Sequence, residues 1–476
     1  MLRFEEVPVL DRNSAFRGVP PEKLMENAGK QLAKEIKKQF TARPIIFFCG
    51  TGNNGGDGYV AARYLAEEWG AKKIKVFLIK DRDKIGSELA KRNLQRLSRE
   101  TIIERKLIWS EVEEETIFVD ALLGTGVFGK IREPYRDIIQ KMNEYHNQVV
   151  SVDVPSGLGA DISVIPDLTV TFHDIKEGMT EDNCGKIKIK DIGIPRKAET
   201  HTGPGEMLLY PKPKKSSHKG ENGRVLVIGG GPFTGAPALS AKAAYRAGVD
   251  LVELAVPESV YPIIASYSTS FVVHDLKGRT LKKDHIEYIL ELAEKSDSVL
   301  IGPGLGQKAE TLESVQEILE NMADINKSVA IDADGLKAVA EKPSVLPSDA
   351  VLTPHESEFN ILVEGYPDKK LEEKADEFAK RNSVVLIVKG KSDYITDGED
   401  CKWNDIGNEG MTVGGTGDIL AGVVSALLSK GTKPFDAGRI AAFMTCRAGD
   451  IAFDSLKWGM GSEDIIEKIP ENFDEI

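Results

Sequence analysis

Short apolar runs separated by helical patterns constrain this chain more than any other feature of it. Runs at 45–49, 74–79, 117–123 and 149–154 are too uniformly apolar to keep one face in water, and the same rhythm returns at 224–228, 251–256, 298–301, 328–331, 350–353 and 384–388. Such strands are buried on both faces, so the predicted class is α/β, with mostly parallel sheets covered by helices on each side. Leu24, Ala28, Leu32 and Ile36 recur every four residues and mark one of these helices, entered through Pro20 and Pro21. At 476 residues the chain is too long for one core. The segment Pro211 to Glu221 is rich in proline and lysine and lacks apolar periodicity, so it divides the predicted domains, 1–210 and 211–476. Each should bind ligand beyond the carboxyl ends of its strands.

A net charge of -13 argues against a nucleic-acid partner, because phosphate-backbone binding needs many clustered Lys and Arg. Cys49, Cys184, Cys401 and Cys446 lie far apart with no Cys-x-x-Cys pair, which fits reduced thiols rather than a zinc site or a disulfide framework. No stretch reaches about 18 apolar residues, and the opening residues carry no signal-like apolar run. The expectation is a cytoplasmic protein with small-molecule partners, no membrane partner, and a homo-oligomeric state.

Gly50-Thr-Gly-Asn-Asn-Gly55 follows one predicted strand and opens a helix, which satisfies the GxGxxG pattern of a nicotinamide dehydrogenase. Two observations weigh against that reading. The pattern recurs at Gly124-Thr-Gly-Val-Phe-Gly129, and one domain needs only one dinucleotide turn. Asp57 stands in the first loop, where a unit charge about 4 Å from a phosphate would cost on the order of 4 kcal/mol at an effective dielectric of 20. Asn54, Asp120 and Ser156 place oxygens at strand ends, which suits either a hard cation or ordinary turn bonding. Asp153 stands at the end of the predicted buried strand Val149 to Val152, where a carboxylate is costly unless hydrogen-bonded or used, and it is the candidate for acid/base work.

The motifs Leu24-Met-Glu-Asn-Ala-Gly29, Gly50 to Gly58, Asp120-Ala-Leu-Leu-Gly-Thr-Gly126, Ser151-Val-Asp-Val-Pro-Ser-Gly157 and Thr169-Val-Thr-Phe-His173 together resemble the NAD(P)H-hydrate epimerase family, over about Asp11 to Pro195. That resemblance implies a Rossmann-like doubly wound sheet and a potassium site at Asn54, Asp120 and Ser156. It also implies a substrate cleft formed by Asn53, Asn54, Gly55, Gly56 and Asp57, by Gly124, Thr125, Gly126, Val127, Phe128, Gly129 and Lys130, and by Asp153. The implied reaction interconverts the R and S hydrates of the reduced nicotinamide ring. One departure is Gly159, where many relatives carry aspartate; Asp161 lies two positions on.

In the second half, Met411-Thr-Val-Gly-Gly-Thr-Gly-Asp418 precedes an apolar helix, so a glycine turn presents one acid where unpaired helix N–H groups favour an anion. Asp418 reads either as an N-cap worth about 1 kcal/mol or as a general base beside a nucleotide phosphate. Glycine loops also follow the strands at Gly229-Gly-Gly-Pro-Phe-Thr-Gly-Ala-Pro-Ala238 and Ile301-Gly-Pro-Gly-Leu-Gly306, and none is a Walker loop. Asp332-Ala-Asp-Gly335, Thr353-Pro-His-Glu356 and Val388-Lys-Gly-Lys-Ser-Asp393 add carboxylates, a histidine and cations at further strand ends. In their order these motifs resemble the ribokinase-like superfamily, and within it the ADP- or ATP-dependent NAD(P)H-hydrate dehydratases. By that resemblance Ala236, Gly306, His355 and Asp418 contact hydrated NADH or NADPH, and Lys389, Gly390, Lys391, Ser392, Asp393 and Gly417 hold ADP or ATP with Mg2+. Asp418 would then deprotonate the C6 hydroxyl that receives the phosphoryl group. A thiazole- or vitamin-type kinase, whose product keeps its phosphate, and a first half that only binds or oligomerises are the alternative readings.

Overall fold

The computed structural model describes residues 1–475, and the chain divides into two compact units, one of Met1–Ala198 and one that begins at Glu199. The first contains a seven-stranded sheet of β1 (Ile45–Cys49), β2 (Ile74–Leu78), β3 (Ile102–Glu104), β4 (Ile117–Ala121), β5 (Val149–Val152), β6 (Leu168–Phe172) and β7 (Lys186–Lys190). Its order is β3-β2-β1-β4-β5-β6-β7, and every neighbouring pair is parallel. Order reverses between β1 and β4, so the loops leaving those two strands diverge and open a crevice at their carboxyl ends. Ile45, Phe47 and Cys49 join one core layer while Ile46 and Phe48 join the other, the alternation expected of a strand covered on both faces. The helix Pro21–Gln39 starts with proline in its first turn and buries Leu24, Ala28, Leu32 and Ile36, as the four-residue spacing predicts.

The second unit carries a nine-stranded sheet: β8 (Arg224–Ile228), β9 (Leu251–Pro257), β10 (Val272–Leu276), β11 (Ser298–Ile301), β12 (Ser328–Ile331), β13 (Val351–Leu352), β14 (Val385–Val388), β15 (Asp393–Thr396) and β16 (Cys401–Asn404). The order β10-β9-β8-β11-β12-β13-β14-β15-β16 reverses between β8 and β11, and its two antiparallel pairs are β14–β15 and β15–β16. Val225 and Val227 face one core layer, Leu226 and Ile228 the other. The helix Thr416–Ser429 is apolar nearly all round because it is wedged against a second helix, Gly235–Arg246. A Cβ at Gly422 would stand 2.2 Å from the Ser240 carbonyl oxygen, so only glycine permits this crossing.

The boundary expected at 210/211 moves to 198/199. The physical reason is a buried polar cluster: Glu206, 0% exposed, pairs with Lys402 at 2.9 Å and Arg439 at 3.1 Å, both themselves buried. Thr202 donates to Asn404 Oδ1 at 2.6 Å, and Tyr210 to the Ala247 carbonyl at 2.8 Å. Residues 199–210 therefore complete the second unit, and Pro211–Glu221 is a loop within it. A fragment beginning at Pro211 is expected to be less stable than one beginning at Glu199 by about 3–5 kcal/mol, because it takes the Glu206 carboxylate from buried Lys402 and leaves Arg439 with Asp436 alone; urea denaturation of the two fragments measures the difference.

Candidate active sites

In the first unit, the loops after β1, β4, β5 and β6 enclose a cavity of about 530 Å3 together with the N-terminal helix Glu6–Phe16. The glycine leaving β1 is dictated by the crevice itself: a Cβ at Gly50 would lie 1.8 Å from the Leu122 carbonyl oxygen after β4. Asp153 projects into the cavity from the end of β5 with φ at 63°, a left-handed conformation that costs a non-glycine residue about 1–2 kcal/mol. Its Oδ1 accepts from the Phe172 N–H at 3.1 Å, from the Thr171 hydroxyl at 3.3 Å and from the Lys176 ammonium. Lys176, 2% exposed, gives its remaining protons to Thr171 Oγ1 at 2.9 Å and the Phe172 carbonyl at 2.6 Å. Two more carboxyls share the wall. Burial, and then the charge of Asp153, pushes Asp11 up to about 6 against the pull of Lys176. Burial, followed by Asp153 and Asp11, drives Asp57 well above the usual carboxyl range.

Below this cavity the Asp120 carboxylate is fully buried and receives only neutral donors: the Ser156 N–H and Ser151 hydroxyl, both at 2.8 Å, the Ser156 hydroxyl, and the Leu122 N–H at 3.3 Å. Burial raises its pKa against those bonds. Asn54 donates to the Leu123 carbonyl at 2.9 Å, which leaves its own buried Oδ1 without a hydrogen-bond partner. The Ser156 hydroxyl lies 3.2 Å from the same carbonyl. An orphaned amide oxygen and a buried carboxylate met by neutral donors, gathered about one backbone carbonyl, form an oxygen-only donor set that fits a hard monovalent or divalent cation.

In the second unit, the switch-point loops meet at a second set of charges. Gly302 leaves β11 with φ at 127°, and a Cβ there would stand 1.8 Å from the Asp332 carbonyl after β12. The Gly306 N–H donates to Asp334 Oδ2 at 2.8 Å, which fastens the two loops together. Asp332, 2% exposed, accepts from Thr353 Oγ1 at 2.8 Å and pairs with Lys389 Nζ at 3.1 Å. The same ammonium lies beside the start of the helix Thr416–Ser429, 3.0 Å from where a Cβ on Gly417 would be. Asp418 sits in the first turn of that helix. Gly415, in the left-handed region at φ 100°, holds the cap position, and Asp418 makes no cap bond. Burial, then the neighbouring Asp332 charge, raises the Asp418 carboxyl to about 7 against the opposing Lys389. Burial opposes the Lys389 charge, yet Asp332, Glu358 and Asp418 together hold its pKa above the ordinary lysine value. A half-buried carboxyl able to exchange a proton near neutrality, beside a fixed cation and a helix start, can deprotonate a hydroxyl and neutralise an incoming phosphate.

Residues 225–471 match the family model described as NAD(P)H-hydrate dehydratase, and residues 21–178 match that of the YjeF-related protein N-terminus. The bifunctional NAD(P)H-hydrate repair enzyme Nnr of Methanothermobacter thermautotrophicus is 38% identical over 492 residues, covering 98% of this chain and 94% of the relative. Its counterpart in Archaeoglobus fulgidus is 38% identical over 474 residues, covering 98% and 97%. The chain belongs to the bifunctional NAD(P)H-hydrate repair enzymes. A solved ribokinase-like superfamily protein from Enterococcus faecalis, 21% identical with a TM-score of 0.51, covers 58% of this chain and 95% of its own, and it shows the fold of the second unit.

In this repair enzyme the first cavity is lined by Asn53, Asn54, Asp57, Gly124, Thr125, Gly126, Phe128 and Asp153 among the residues expected there. Gly55 and Gly56 lie beneath it in the buried first turn of the helix Asn53–Trp69, with Gly56 against Met25. Val127, Gly129 and Lys130 stand farther along their loop, outside the lining. That loop is tied to Asp161, which accepts from the Ile131 N–H at 2.8 Å and pairs with Arg136 at 2.6 Å, so the acid two positions after Gly159 anchors the cleft edge. In the second unit, Ala236 and Asp418 are joined through Ser240, whose hydroxyl lies 3.2 Å from the Ala236 carbonyl and 2.9 Å from that of Asp418. His355 caps the helix Glu356–Leu362 through Nδ1 yet stays 54% exposed, and its backbone bridges to Lys389. Gly390 and Lys391 are exposed and Ser392 is half-buried. The Asp393 carboxylate turns inward, accepting from the Gly390 N–H at 3.2 Å and Asn404 at 3.0 Å, so its side chain shapes the turn. The sequence reading missed Asp11 and Lys176. Lys176 partners a residue 23 positions away in the loop after another strand, and no local pattern signals such a pair.

Proposed function

We propose that the two units carry out successive steps in repairing hydrated NADH or NADPH. The first interconverts the R and S hydrates, with the free Oδ2 of Asp153 exchanging a proton at the C6 hydroxyl. The second converts the S hydrate to the dihydropyridine at the expense of ADP or ATP. There Asp418 removes the C6 hydroxyl proton as that oxygen takes the terminal phosphoryl group, and loss of inorganic phosphate with the C5 proton restores the C5=C6 double bond. Lys389 and the N–H groups at the start of the helix Thr416–Ser429 face the phosphates, and Gly417 leaves room for them. Mg2+ held by the nucleotide phosphates would neutralise charge on the transferred group. Ala236, Gly306 and His355 border the dinucleotide, and the turn Lys389–Asp393 borders the nucleotide. The observation that carries the reading is the grouping of Asp418, Lys389 and Asp332 at one helix start. Purified protein given mixed NADH hydrates plus ADP or ATP is expected to regain the absorbance of the reduced ring completely, whereas recovery of the S fraction alone would remove the epimerase assignment, and a stable phosphorylated product the dehydratase one.

The cradle of Asn54 Oδ1, Asp120, Ser156 and the Leu123 carbonyl fits potassium, which would neutralise the Asp120 charge and stiffen the loop after β4. Potassium added to protein dialysed into a lithium buffer is expected to raise the melting temperature, by about 2.7 kcal/mol of stabilisation at a hundredfold excess over the dissociation constant. Asn54→Ala should erase that increment, and an unchanged increment would assign the potassium effect elsewhere.

A further inference from the structure

Inversion at C6 needs a proton given on one face of the ring and a proton taken on the other, and Asp153 alone supplies one of these. The cavity holds two further carboxyls. Asp57, from the helix Asn53–Trp69, and Asp11, from the helix Glu6–Phe16, both line it, and neither side chain hydrogen-bonds or ion-pairs with any of the described residues. Asp153 is the opposite case. Its Oδ1 takes three hydrogen bonds and its Oδ2 none from the described residues, so one oxygen is anchored while the other is left to substrate. We propose that Asp57 is the acid that partners Asp153 in epimerisation and that Asp11 is the relay that returns the proton between turnovers; this rests on the epimerase reading of the cavity.

Asp57 gives its proton to the C6 oxygen as the C6–O bond breaks, water leaves, and the N1 lone pair forms a C6=N1 iminium. Solvent water then bonds to C6 from the other face and surrenders a proton to Asp153 Oδ2. The substrate is inverted, one oxygen has exchanged with water, and one proton has moved from Asp57 to Asp153. Lys176 positions Asp153 and holds no exchangeable role, since all its protons are already donated. The other titratable groups facing the cavity are Glu5 and His173. Desolvation supports the assignment, because it holds the Asp57 carboxyl well above the ordinary range and pushes Asp11 up to about 6.

The test uses the full chain and purified R hydrate of NADH. Asp57→Asn is expected to lower kcat for epimerisation about 100-fold while KM stays within about threefold and the C-terminal dehydration rate, which reports folding, is unchanged. In wild type, kcat against pH should inflect near 6, and Asp11→Asn should remove that inflection. In 18O-labelled water the inverted product of the wild type should carry the label at C6. Near-normal kcat in Asp57→Asn, an inflection that survives in Asp11→Asn, or inverted product without label would each overturn the proposal. Those results are distinguishable from failure of the epimerase reading, under which the wild type itself would not interconvert the hydrates.

Discussion

Asp418→Asn is expected to reduce nucleotide-dependent dehydration by about 1,000-fold, within the range a positioned general base supplies, while ADP or ATP still binds through Lys389 and the helix start. Single-turnover kinetics and nucleotide titration calorimetry separate the two. Near-normal turnover would remove Asp418 from the chemistry. The pH dependence follows from the carboxyl's position at about 7. A base must be unprotonated, so kcat/KM should fall about tenfold for each pH unit below that value. Stability moves the other way. The folded protein holds this proton more tightly than the unfolded chain, whose aspartates titrate near about 4. Asp418 therefore contributes stability that is fully present below about pH 4 and lost as pH rises through about 7. Asp418→Asn, neutral throughout, should melt above wild type at about pH 8 and not at about pH 4.

Asp153→Asn is expected to slow R-to-S interconversion by at least about 100-fold without affecting dehydration of the pure S hydrate by the other unit. The amide keeps the bonds from the Phe172 N–H and Thr171 but loses the ion pair with Lys176. Lys176, 2% exposed, would then be a buried cation without its carboxylate, a change that costs about 3–5 kcal/mol. Asp153→Asn combined with Lys176→Met removes both charges, and it should recover much of the melting temperature and none of the epimerisation. If the double variant regained interconversion, the pair would be structural and the chemistry would lie elsewhere.

The apolar runs announced the central strands because β1, β4, β8, β11 and β12 are buried on both faces and must be apolar at nearly every position. The edges were illegible. In β7, Lys186 to Lys190, lysines alternate with isoleucines and the strand stays largely solvated, and β10 and β16 likewise keep exposed positions. β6 was hidden for a different reason: Thr169 and Thr171 interrupt its apolar run, although both are buried, Thr169 bonded to the Cys184 carbonyl at 2.6 Å and Thr171 serving the Asp153–Lys176 pair. The domain boundary failed similarly, because composition marks a proline- and lysine-rich loop, whereas the true seam depends on Glu206 reaching cations 196 residues and more away in the chain.

The local sequence by itself determined the α/β class, the glycine loops at the strand ends, the two families that the motifs resemble, and Asp153 and Asp418 as acids placed beside those loops. These are local facts, set by which residues tolerate burial or close backbone approach. Tertiary structure decided what those acids face. It took the cap position from Asp418 and gave it to Gly415, set Lys389 and Asp332 beside the acid, and gathered Asp11, Asp57 and Lys176 around Asp153. The reason is that a proton's affinity for a carboxyl depends on burial and on charges a few ångströms away, and in a parallel sheet those neighbours come from strands and helices distant along the chain.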